Sequence, residues 1–292
     1  MSMRWLPQVF DVVEEMRLYD ETGARAKSAN LGWLQALRAD VWSAYEVYAT
    51  AETCSGLTSI VEDLNGNEAT ALKSNYRRLR SGPMKDFGAS LLKRSRTCCL
   101  CWHAPAGQLD HHLPQGQFPE FSVLTLNLIP VCALCNHSKG SIYRREDGGP
   151  SFLHAYLDCL PSDVQFLVAD IYVDATVSAV FKVAATPQMP DSVYKTLGHH
   201  FDALELGIMY GNLASELMVE KLTPIYEYYD YGGAEAVERY LRVEARGVER
   251  VHGLNHWKPV LLTSLAGSRS FCERGFATLG ERDESIFDLA CG

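Results

Sequence analysis

Apolar residues recur at helical spacing through residues 8–19 and again through 31–50, where Leu31, Leu34, Leu37, Val41 and Trp42 alternate with Ala, Arg and Glu. The spacing predicts helices there, and a further helix from Glu68 to about Arg80 that runs into the turn signal Ser81-Gly82-Pro83. The pattern then changes. Over 97–147 paired Cys, clustered His, and Pro and Gly in short succession predict a compact metal-stabilised module, closed by Asp147-Gly148-Gly149-Pro150. Beyond it, residues 164–173 and 177–185 flank a turn near Asp174 and read as a β-hairpin. Helical patterns follow over 191–222, 233–247 and 255–268, and no internal repeat is visible. The expected class is α+β, with a helical N-terminal region over 1–96, a central module over 97–147 and an α+β domain over 151–292.

Composition adds little to this picture, but the distribution of charge adds a good deal. The chain has 292 residues, 47% hydrophobic and 22% charged, which suits a globular protein with a real core and about two domains. Its net charge of −9 argues against a nucleic-acid partner. Counted by region, however, residues 1–72 carry 5 basic and 11 acidic side chains, 73–145 carry 11 and 3, and 146–292 carry 11 and 22. The middle quarter is therefore strongly basic between two acidic flanks, as a local phosphate-binding surface requires. Asp11, Glu14 and Glu15 interrupt the stretch where a signal peptide needs apolar residues, and no run approaches about 18 apolar residues. A protein that is neither secreted nor membrane-bound, in a reducing cytoplasm, is expected.

Four of the nine cysteines form two pairs, Cys98-x2-Cys101 and Cys132-x2-Cys135, 30 residues apart. Each Cys-x-x-Cys turn presents two sulfurs to one ion, and four soft ligands in a tetrahedron suit a structural zinc. Cys99 lies too close to Cys101 for the usual knuckle and reads as a bystander. The gap exceeds the usual zinc-ribbon spacing of about 15–20 residues, so the insert should hold more than a turn.

Inside the insert stand Leu109-Asp110-His111-His112-Leu113-Pro114 and Leu126-Asn127-Leu128, and after the second pair comes Asn136-His137-Ser138-Lys139-Gly140. In these motifs and their order the segment resembles the HNH endonucleases, the ββα-metal or His-Me finger nucleases, in their zinc-stapled form. The resemblance covers about a sixth of the chain. It implies that Asp110 and Asn136 ligate a catalytic divalent ion, that His111 is the general base, and that Asn127 braces the loop through backbone hydrogen bonds. With Asn136 as an oxygen donor, magnesium or manganese is expected there.

The residues themselves agree. A strand over 107–113 would put Asp110 and His111 on opposite faces unless it ends there, so the pair is expected at a strand end. A helix starting near Pro130 would place Cys132, Cys135 and Asn136 on one face. Neutral His111 would then take a proton from water attacking phosphorus, with activity falling as pH drops through about 6.5. Lys139, Arg144 and Arg145, with the basic run from Lys73 through Arg94 to Arg96, are expected to hold DNA by charge alone.

Structural roles are expected of most other candidates. His112 is expected to pack or hydrogen-bond, although His137 could replace Asn136 as a ligand and His111 could replace a zinc cysteine. His199, His200, His252 and His256 are expected in core or surface roles, and Tyr226, Tyr228, Tyr229 and Tyr231 in packing or a protein interface. The acidic C-terminal half is expected to bind a protein partner, such as an ATPase, with bacterial defence against mobile DNA as the setting the family suggests. The rival readings are a non-catalytic zinc-dependent DNA-binding module and a regulatory subunit with a nuclease-like fold.

Overall fold

The computed structural model describes residues 6–7 and 10–282. It is a mixed helix and sheet protein in which helices predominate and the strands form two small antiparallel pairs. The chain divides into two compact units. Among the described residues, the first unit takes those up to Cys159 and then Lys195–Leu204, and the second takes Leu160–Tyr194 and those from Glu205 on. The division expected after Pro150 thus falls after Cys159, and the helical N-terminal region does not stand apart from the cysteine-rich segment. Side-chain packing is the reason: Tyr45 and Tyr48 are wholly buried, with rings 6.3 and 4.9 Å from that of Phe121.

In the first unit, α1 (Val12–Gly23) starts at Asp11, whose carboxylate accepts from Val13 N at 2.8 Å, and places Glu14 and Glu15 in its positive first turn. Glu15 is buried and accepts from Thr125 N at 2.9 Å and from its hydroxyl at 2.5 Å, a tie across 110 residues. After α2 (Ser28–Ala36) and α3 (Arg38–Thr50), α4 (Gly66–Ser81) opens with a capping box in which Asn65 and Glu68 each satisfy the other's backbone N–H. α5 (Lys85–Leu92) crosses α4 so closely that a Cβ on Gly88 would lie 2.3 Å from Leu79 O. β1 (Gln108–His111) pairs antiparallel with β2 (Leu128–Val131), Asp110 opposite Ile129 and His111 opposite Leu128, and α6 (Ala133–Lys139) follows.

In the second unit, β3 (Leu167–Val173) and β4 (Val177–Val183) form the expected hairpin. Val177, Ala179 and Phe181 point inward while Ser178, Val180 and Lys182 face solvent, the period of a half-buried strand. The helix pattern expected over 191–222 is two helices, α7 (Asp191–Ala203), most of which belongs to the first unit, and α8 (Leu206–Glu220), parted where Glu205 takes φ +51°. α9 (Leu222–His252) runs through the expected gap, bent where Gly232 and Gly233 leave helical angles. α8 packs on β4, and α10 (Trp257–Gly267) on β3 and α9.

Candidate metal centre and the adjoining histidine pocket

Cys98, Cys101, Cys132 and Cys135 are all buried, and their sulfurs lie within 4.8 Å of one another. Cys101 and Cys132 sulfurs are 4.0 Å apart, twice a disulfide length but close to the separation of about 3.8 Å that two thiolates take around a tetrahedral zinc. Backbone N–H groups of Leu100 and Cys101 point at Cys98 Sγ, and that of Cys135 at Cys132 Sγ, at 3.4–3.5 Å. Hydrogen bonds among the four sulfurs lower the Cys132 thiol toward thiolate and raise those of Cys98 and Cys135, so the cluster shares its protons. The donor set fits a structural metal ion such as zinc. Cys99 is outside the cluster, and its N–H bonds to Pro130 O at 3.0 Å, tying the first knuckle to β2. With four cysteines converging, no histidine is needed as a replacement.

The helix expected from Pro130 begins instead at Ala133. Pro130 lies in β2 opposite Leu109, and Cys132 is the N-cap of α6, its sulfur taking the place of a capping oxygen. Trp102, just past the first knuckle, adopts φ +53°, and its ring stacks on that of His200 at 4.9 Å and 3°. His200 donates from Nε2 to Leu100 O at 2.7 Å and accepts at Nδ1 from Leu153 N at 3.3 Å, so it is neutral and wholly built in.

On β1, Gln108 and Asp110 share one face, by the period of a strand, and α6 answers with Asn136 and Lys139. Asn136 Nδ2 donates to Gln108 Oε1 at 2.6 Å, and Lys139 Nζ lies 3.0 Å from Asp110 Oδ2 and donates to His111 O at 2.8 Å. Asp110 is buried, which pushes its carboxyl pKa up against the pull of Lys139. Asp110 therefore meets Lys139, and the expected ligand partner Asn136 meets Gln108. Lys139 is 0% exposed, so its expected place on a DNA-holding surface is overturned: its charge is spent inside the protein.

His111 ends β1 and meets other neighbours than Asp110. Its Nε2 donates to Ser122 O at 3.0 Å, and its ring packs edge-on against Tyr76 of α4 at 4.3 Å. A carbonyl can only accept, so Nε2 carries the proton and Nδ1 keeps a lone pair. Burial pushes the imidazole pKa down to about 4, below the value near 6.5 expected from sequence. His112 is buried against His154, rings 4.3 Å apart, in the packing role expected of it.

Asn127 is fully buried and braces the loop. Its Oδ1 accepts from Leu113 N at 2.8 Å and Tyr48 OH at 3.0 Å, and its Nδ2 donates to Leu113 O at 3.1 Å and Phe121 O at 3.3 Å. Tyr48 OH also accepts from His154 Nε2 at 2.9 Å, extending the network.

Of the expected phosphate contacts, Arg145 is committed elsewhere: it forks onto Asp147 at 3.0 Å and donates to Pro150 O and Thr196. Arg144 bonds Gly148 O at 3.1 Å, and Arg94 reaches Tyr156 OH at 3.3 Å with its guanidinium over that ring. Both are exposed residues, as are Arg96 and His137. In the second unit Tyr228 stacks on Tyr240, Tyr226 donates to Gly280 O, and His256 caps α10 through Nδ1, all structural engagements.

Sequence reading did not single out Tyr48, Tyr76, Gln108 or His154. Only Gln108 left a signal, standing two residues before Asp110 on the same strand face. No family model and no solved structure matches the chain. It is 25% identical over 233 residues to Protein ea31 of Escherichia phage lambda, an alignment covering 73% of this chain and 76% of that protein. Among the described residues no helix is long and apolar enough to cross a membrane.

Proposed function

We propose that this chain is a metal-dependent endonuclease of the HNH, or ββα-metal, type that hydrolyses DNA phosphodiester bonds. The observation that carries the reading is His111: a neutral imidazole fixed by a carbonyl at Nε2, with its Nδ1 lone pair free of that bond, at the end of a strand adjoining the cysteine centre. His111 would take a proton at Nδ1 from water attacking phosphorus in line, while the P–O3′ bond breaks. Ser122 and Tyr76 hold the ring, and Asn127 holds the loop from Leu113 that follows it.

Asp110 and Asn136 are the proposed holders of a catalytic magnesium or manganese ion. Asp110 Oδ2 has no well-aligned hydrogen-bond donor although Lys139 sits beside it, and Asn136 uses its amide nitrogen on Gln108, so the oxygens suit a hard cation. When bound, such an ion supplies stabilisation of charge on the phosphate and the leaving 3′ oxygen.

The test is incubation of supercoiled plasmid with wild type and His111→Ala in magnesium or manganese, with EDTA as control. Cutting by wild type alone is expected. A folded, zinc-loaded wild type that cuts in neither ion overturns the reading. One observation favours the rival, a non-catalytic zinc-dependent DNA-binding module: Lys139 already balances the charge of Asp110 without an ion. On that reading wild type and His111→Ala bind DNA equally and neither cuts.

A further inference from the structure

Of the side chains expected to hold DNA, Lys139 and Arg145 are spent on internal contacts, yet most of the basic excess of residues 73–145 remains exposed. Much of it lies on α4. Lys73, Arg77 and Arg80 stand at i, i+4 and i+7, one stripe of that helix, with Arg77 and Arg80 exposed and Lys73 half-buried. Opposite the stripe, Ala71, Leu72, Asn75 and Leu79 are buried and fix the helix to its unit. Tyr76 borders the stripe, and it is the residue whose ring meets His111 at 4.3 Å and whose hydroxyl donates to Leu109 O at 2.8 Å. Arg80 is near enough to that hydroxyl to offset part of the rise that burial imposes on its pKa. The helix that bears the cations is thus the helix that touches the imidazole.

We infer that α4 seats the phosphate backbone of a nucleic-acid duplex through Lys73, Arg77 and Arg80, beside His111, and that Tyr76 is a positioning residue for the His111 ring. The inference rests on the nuclease reading for the role of Tyr76 and is independent of cleavage for the stripe. Cations spaced one helical turn apart contact phosphates without reading bases, so the binding is sequence-independent and salt-sensitive.

The experiment uses the full chain in two readouts. In the first, anisotropy of a labelled random-sequence duplex is titrated at several NaCl concentrations. Arg77→Ala/Arg80→Ala should weaken binding at least tenfold and reduce the slope of log K against log salt by about two, at roughly 0.9 per phosphate lost. Arg17→Ala, an exposed arginine on α1, should change neither. In the second, plasmid cleavage is followed at saturating DNA. Tyr76→Leu should lower kcat at least tenfold with duplex affinity and salt slope unchanged, and Tyr76→Phe should restore most of kcat.

Unchanged affinity and slope in the double arginine variant overturn the stripe, as does a wild type that binds no duplex. A Tyr76→Leu effect confined to affinity, or equal loss in Tyr76→Phe, overturns the positioning role. If wild type binds duplex but never cuts, the nuclease reading fails and the positioning role fails with it, while the salt slopes still decide the stripe.

Discussion

Lys139 is a fully buried ammonium whose partners are the Asp110 carboxylate and the His111 carbonyl. Removing one member of such a pair leaves the other uncompensated in a desolvated site, at a cost of about 3–5 kcal/mol. Lys139→Met should therefore lower unfolding stability by that order in urea titrations free of divalent ions. Lys139→Met/Asp110→Leu should recover most of the loss, and a double variant as unstable as the single one would show that the charge pair is not the cause. The residue's sequence neighbours, exposed and polar, gave no hint of its burial. Arg145 was misleading for the same reason: a basic side chain in a basic run reads as free until Asp147 and Pro150 O are seen to hold it. The four cysteines, by contrast, were legible from spacing alone, because a metal knuckle is a local structure.

Elements were legible where their period was undisturbed. The β3–β4 hairpin and α4 lie within a few residues of their expected spans, since strand and helix patterns and a turn signal are written into adjacent residues. Pro130 deceived because proline suits a helix start, whereas here it takes a strand position opposite Leu109 and the helix waits for Cys132 to cap it. Close helix crossings leave a fainter mark. At Gly88 a methyl group would drive into Leu79 O, so Gly88→Ala should separate α5 from α4 and cost about 1–3 kcal/mol despite its better helix propensity. Chemical denaturation checks this, and a stability equal to or above wild type would contradict the observed crossing.

Across the molecule, the first unit is organised around the cysteine centre and a set of buried histidines. Purified protein should contain about one zinc per chain, and Cys132→Ala or a strong chelator should abolish cooperative folding of that unit, since structural zinc contributes on the order of 10 kcal/mol. Metal analysis with circular dichroism reads the result, and a folded, metal-free Cys132→Ala protein would refute the staple. Acid should act through the buried histidines as well. Burial lowers His154 to about 3 and His200 to about 4, so the unfolded chain binds protons that the folded one refuses as pH falls below about 6.5. Stability is thus full above that value and declines toward pH 4, by on the order of 3 kcal/mol for His200 alone. His154→Gln/His200→Gln should flatten the slope of unfolding free energy between pH 4 and 6.5. Beyond the bracing role of Asn127 and the packing of His112, this network was not legible beforehand, because Tyr48 meets Asn127 across 79 residues, and His200 meets Leu100 across 100, where no periodicity reaches.

The first unit is also discontinuous, and His200 belongs to the part that returns, Lys195–Leu204. On the ribosome, residues up to Cys159 emerge first, and about 45 more must be made before Leu204 appears. At roughly 5–20 residues per second that is a delay of about 2–9 s. During this interval Leu100 O lacks its imidazole donor and Trp102, strained at φ +53°, has no ring to stack on. A nascent chain therefore holds both cysteine knuckles before it holds the support that completes them, and early capture of the metal would keep the first knuckle in place until the returning segment arrives.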